Sequence, residues 1–122
     1  MTPTCSGTKK ETYIQSPNYP NKYPANKDCS WTIKALPGRN IKLMISHFDV
    51  DYKDYDCNDY VEIFDVVNGN EVKLGKFCNN RKPPESILSS GNELKVEFHS
   101  SRSYQGKGFR FDYRSLEPGI IL

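Results

Sequence analysis

Leu94-Lys95-Val96-Glu97-Phe98-His99 alternates apolar and polar residues, the period of a strand with one face in a core and the other in water. Working outward, Trp31-Thr32-Ile33-Lys34, Ile41-Lys42-Leu43-Met44-Ile45-Ser46 and Val61-Glu62-Ile63-Phe64 repeat the pattern. Val72-Lys73-Leu74-Gly75 and Phe109-Arg110-Phe111-Asp112-Tyr113-Arg114 do so again, and each run is expected to set its apolar face inward. Between the runs lie Pro37-Gly38, Asn68-Gly69, Pro83-Pro84, Gly91-Asn92 and Gly106-Lys107-Gly108. Turn residues separating short half-buried strands are the mark of an antiparallel sandwich. Almost no helical periodicity is present, and Pro17, Pro20 and Pro24 confine the early segment to an edge or a loop. The expected fold class is all-β.

Composition sets the scale. A chain of 122 residues with 36% hydrophobic and 12% aromatic side chains fills one core and leaves no room for a second domain. The net charge is +2, with Lys and Arg interspersed among acids, which argues against nucleic acid as a partner. Apolar stretches such as Ile41 to Ile45 are short and interrupted by Lys, so direct membrane insertion is not expected. Residues 1–4 read as a leader with no apolar signal-peptide core behind Met1, residues 5–114 as the domain, and residues 115–122, containing Pro118-Gly119, as a tail or the start of a linker. An enzyme is not expected, since G-x-S-x-G, H-E-x-x-H and P-loop patterns are all missing from the sequence. His47 and His99 read as surface or strand-edge residues and Trp31 as part of the core.

Cys5, Cys29, Cys57 and Cys78 lack the C-x-x-C spacing of zinc sites and suit two disulfides in an oxidising compartment. More than one connectivity is open on paper. The sequential pairing closes two medium loops, each stabilising by roughly 3 kcal/mol in the chain-entropy model, and is preferred.

Chemistry concentrates in Asp49-Val50-Asp51-Tyr52-Lys53-Asp54-Tyr55-Asp56-Cys57-Asn58-Asp59, which places five aspartates within eleven residues between two strand-like runs. That much negative charge repels itself unless water, a cation or a cationic partner neutralises it. An oxygen-lined metal site and an acidic docking surface are both open readings. An EF-hand beginning at Asp54 is not, because Asp59 stands where the sharp turn needs Gly and Val61 to Phe64 is strand-like where a helix must follow.

The chain resembles a CUB domain over residues 5–114. The likeness is carried by Cys5, Ser16-Pro17-Asn18-Tyr19-Pro20, Tyr23-Pro24, Cys29-Ser30-Trp31-Thr32-Ile33, Phe48-Asp49 and Cys57-Asn58-Asp59-Tyr60-Val61-Glu62-Ile63, in that order. It continues through Leu74-Gly75-Lys76-Phe77-Cys78, Ser89-Ser90-Gly91-Asn92, Val96-Glu97-Phe98 and Gly108-Phe109 to Tyr113. The resemblance implies an antiparallel jelly-roll β-sandwich with the disulfides Cys5–Cys29 and Cys57–Cys78. It also implies an extracellular protein-binding module and a calcium ion held by three acids at one end of the sandwich. Here those positions fall at Asp51, one methylene shorter than the family's Glu, at Asp59, and at Ser101, where calcium-binding members carry Asp. Ser101 removes a carboxylate and Arg102 adds a cation beside it, so weak or altered calcium binding is expected. The implied partner is a protein presenting an exposed Lys or Arg to Asp51, Tyr52, Tyr55, Asp59 and Tyr104. The alternative is a metal-free structural or interaction domain of a larger secreted protease or receptor.

Overall fold

A computed structural model describes residues 8–9, 12–51, 56–102 and 105–117. Its nine strands are β1 (Thr8–Lys9), β2 (Tyr13–Gln15), β3 (Asp28–Lys34), β4 (Asn40–Asp49), β5 (Tyr60–Val67), β6 (Asn70–Phe77), β7 (Ser86–Leu88), β8 (Glu93–His99) and β9 (Gly108–Leu116). They form two antiparallel sheets, β1-β2-β9-β4-β7 and β3-β8-β5-β6, packed as a jelly-roll β-sandwich, with no helix among the described residues.

The alternation quoted above becomes the core. Trp31 and Ile33 of β3, Ile41 and Leu43 of β4, Val61 and Ile63 of β5, Leu94, Val96 and Phe98 of β8, and Phe109 and Phe111 of β9 are all buried. Their polar neighbours face water, as a strand's two-residue period requires. Aromatic rings cross the sandwich: Trp31 meets Phe109 edge to face at 5.7 Å, and Phe98 meets Phe109 at 5.3 Å. In β4 the register shifts between Ile45 and His47, and the extra residue returns Phe48 to the core side, where it stacks on Phe111.

One strand departs from its pattern. β6 was expected to bury Val72 and Leu74, yet they are 54% and 42% exposed. β6 is the outer strand of its sheet, with β5 on one side only and a register shift opposite Ile63 and Phe64, so no second layer covers it. β2 and β7, three residues each, escaped the periodicity reading because so short a run carries no period. The histidines lie on the strands. His99 ends β8 and bonds Asp28, whereas His47 lies within β4, half-buried against Tyr19 with Nε2 enclosed.

Cys57 and Cys78 form a disulfide that joins the entry to β5 with the exit from β6. Cys29 is buried in β3, whereas Cys5 lies outside the described residues, and the pairing of Cys5 with Cys29 is therefore an expectation. Non-reducing peptide mapping is expected to recover both linked pairs. Replacing Cys57 and Cys78 together by Ser should lower unfolding free energy in urea by about 3 kcal/mol, the chain-entropy value for a loop of this size.

Candidate functional site

β4 delivers the acidic stretch to one end of the sandwich. Asp49 closes the strand, Val50 is fully buried, and Asp51 turns the chain with φ at 69°. That left-handed conformation suits Asp better than a β-branched residue. Asn79, next to the disulfide at Cys78, fastens the turn: its side-chain amide donates to Asp49 Oδ1 at 2.7 Å, and its Oδ1 accepts the Val50 amide at 3.0 Å. The Lys107 amide donates to Asp49 Oδ2 at 2.9 Å. Gly106 beside it admits no side chain, because a Cβ there would stand 2.3 Å from the Asp49 carbonyl oxygen.

Three distant segments meet at Asp59. Its side chain is fully buried, and Asp51 is only 2% exposed. The Tyr23 hydroxyl donates to Asp59 Oδ2 at 2.7 Å and itself accepts the Asp51 amide at 2.9 Å. Ser101 donates to Asp59 Oδ1 twice, from its amide at 2.6 Å and from its hydroxyl. The Asp59 amide in turn donates to Asp51 Oδ2 at 3.2 Å. A buried carboxylate is tolerated only when hydrogen bonds replace its water, and here three donors do so. Ser100 ties the neighbouring loops, accepting the Lys27 amide and donating to the Pro24 carbonyl.

Asp51 and Asp59, eight residues apart, thus lie together with Ser101, 42 residues beyond Asp59. Asp56 is exposed and borders a hollow lined also by Cys57, Lys76 and Arg81, and Tyr52, Tyr55 and Tyr104 lie outside the described residues. Asn79 was not singled out from sequence, and Tyr23 only as part of the family likeness, not as a site residue. A buried Tyr needs a partner for its hydroxyl, but nothing local shows that Tyr23 lies in the core or that its partner is 36 residues away. Burial, reinforced by donation to the Asp59 carboxylate, pushes the Tyr23 phenol far above its ordinary range, so it remains a donor.

The donor set bears on the calcium expectation. Among the described residues no group of three or more His, Cys, Asp or Glu comes together. Two carboxylates and one hydroxyl fall short of the roughly six to eight oxygens that calcium prefers, and the hydroxyl already points its proton at Asp59.

The CUB domain family model matches residues 5–113. The chain belongs to the CUB domain family. It is 41% identical over 97 residues to human Tolloid-like protein 1, covering 80% of this chain and 10% of that protein. The full extracellular region of zebrafish Gpr126/Adgrg6 superposes with a TM-score of 0.73 at 29% identity, covering 93% of this chain and 14% of that one. The crystal structure of the MASP-1 CUB2 domain bound to Ca2+ superposes with a TM-score of 0.70 at 33% identity, over 84% of this chain and 90% of that one. The chain thus spans a small part of its longer relatives. As a CUB domain it is an extracellular module of the kind that mediates protein interactions.

Tyr23→Phe should cost about 2 kcal/mol, since it leaves the Asp51 amide and one oxygen of Asp59 short of a partner. The sign with pH follows from the raised phenol pKa. Above about pH 10 the unfolded chain releases a proton that the folded chain keeps, so wild-type stability falls with rising pH there. Urea denaturation between pH 8 and pH 11 should show the tyrosine's share of that decline disappear in Tyr23→Phe.

Proposed function

We propose that this CUB domain captures a Lys or Arg side chain of a protein partner at the acidic end of its sandwich, with calcium binding there only weakly. The observation that carries the reading is the convergence of Asp51, Asp59 and Ser101 around the Tyr23 hydroxyl, with exposed Asp56 in the same acidic stretch of sequence. Buried acids concentrate negative potential at this end, while neighbouring acids and the tyrosines Tyr52, Tyr55 and Tyr104 supply the contact surface. Charge pairing of this kind favours rapid encounter and fixes orientation. Asp51, Asp59 and Ser101 would be the residues beside a bound ion, whose charge would offset that of the acidic stretch. The MASP-1 CUB2 domain, 33% identical to this chain, is bound to Ca2+, which supports calcium binding as a property open to this family.

A metal-free module is the second reading, and Ser101 favours it. Its amide and hydroxyl give Asp59 a share of the neutralisation that a cation would otherwise provide.

Calorimetric titration separates the two. Wild-type protein is expected to bind calcium in roughly the millimolar range, the weak end for oxygen-ligand sites, and Ser101→Asp should tighten it by about tenfold or more. Heats indistinguishable from buffer in both proteins would leave the metal-free reading. An oligolysine peptide should bind the wild-type domain in surface plasmon resonance and lose most of its affinity to Asp56→Asn. Binding unaffected by that change and by a chelator would move the interface off this end.

A further inference from the structure

The opposite end of the sandwich holds a cavity that the acidic site does not use. β3 finishes there at Lys34, β4 starts at Asn40 and β9 closes at Leu116. The ten residues of β4 separate the two ends by about 30 Å. The cavity measures about 450 Å³, within the range of small-molecule sites. Ile33 and Ile41, both buried, and half-buried Tyr113 contribute apolar lining from both sheets. Leu36, on the loop from β3 to β4, lines it too and is 70% exposed, the most exposed large apolar side chain among the described residues.

The polar boundary is cationic. Lys34 and exposed Arg114 line the cavity, and Lys34 pairs with Glu93 at 3.9 Å. Arg39 stands beside it through the Ser115 hydroxyl, to which its guanidinium donates at 3.5 Å, and it also reaches Glu117 at 3.8 Å. Both contacts are long for a guanidinium, and the Glu117 side chain is 71% exposed. An ion pair so exposed contributes little, so an incoming carboxylate displaces it at small cost. A guanidinium is also the side chain best shaped to hold a carboxylate through two parallel hydrogen bonds.

We propose that this cavity binds a small amphipathic carboxylate, its apolar body resting on Leu36, Ile41 and Tyr113 and its charge held by Arg39 at the rim with help from the lining cations Lys34 and Arg114. Apolar lining supplies the binding free energy, and the cations set the orientation and select for an anion. The site is independent of the acidic end and of any calcium there.

Decanoate below its micelle concentration is the probe, titrated into the full chain labelled with nitrogen-15. The amides of Leu36, Ile41, Tyr113 and Ser115 should shift together and saturate. Decyltrimethylammonium, with the same tail and the opposite charge, should bind at least about tenfold more weakly, the worth of one charge-assisted hydrogen bond. Arg39→Gln should lose a similar factor and Leu36→Asp should abolish saturable binding, while Lys82→Gln, on an exposed loop elsewhere, should bind as wild type does. Spectral dispersion reports directly that each variant is folded. Shifts scattered over the surface, equal binding of the two detergent-like probes, or full affinity in folded Arg39→Gln would overturn the proposal. So would binding that appears only when residues 118–122 are deleted, since the chain's own tail would then be the occupant.

Discussion

The buried carboxylate of Asp59 organises one whole end of this domain. It stands at the entry to β5, accepts from Tyr23 ahead of β3 and from Ser101 just after β8, and its own amide reaches the Asp51 carboxylate beyond β4. Loops from both sheets therefore share one acceptor. Burying a charge is costly, and an Asp59 stripped of these donors would leave that cost uncompensated. The same physics makes the end specific. Each partner must stand within hydrogen-bond reach, so the loops have one arrangement rather than several.

The rest of the sandwich handles its polar groups by smaller versions of the same device. Asp65, buried on β5, accepts the Ser90 amide and hydroxyl, pinning the turn between β7 and β8. Ser89 accepts the Ile41 amide and donates to the Gly91 carbonyl. On the outer face of the β3-β8-β5-β6 sheet, Lys73 pairs with Glu62 and Lys95 lies between Glu71 and Glu97, so that face is internally neutralised. Those exposed pairs add little stability but leave the two ends of the sandwich, one acidic and one cationic at its cavity, as the distinctive surfaces. A partner at the acidic end and an amphipathic anion at the other would meet different chemistry on one scaffold.

Much of the sandwich was legible as periodicity, because a half-buried strand writes its two faces into alternate residues. Leu94 to His99 and Phe109 to Arg114 were read that way and are β8 and β9. Val72 and Leu74 carry the same alternation on a strand that lies at a sheet edge, and a sequence does not say which strand will lack a neighbour. The candidate site was legible only in part. Clustered aspartates marked the loop, and family resemblance singled out Asp51, Asp59 and Ser101. The site roles of Tyr23 and Asn79 stayed hidden because their bonds to Asp59, Asp51, Asp49 and Val50 span 28 to 36 residues, and such partners are chosen by the fold rather than by local pattern. The hydroxyl proton of Ser101 directed at Asp59 could not be read from its replacing an acid; it follows from both lying at one buried point.

Amide hydrogen exchange in wild type and Asp59→Asn measures the central claim most directly. An asparagine turns a donor toward either the Tyr23 hydroxyl or Ser101, so it cannot satisfy the same partners with the same geometry. The amides of Asp51 and Ser101 should be protected in the wild type and exchange at least about tenfold faster in the variant, as local opening becomes easier. The amides of Val96 and Phe111, in the centre of the two sheets, should keep their protection. Unchanged exchange at Asp51 and Ser101 in a folded Asp59→Asn would contradict the account, because this end would then be held together without the carboxylate.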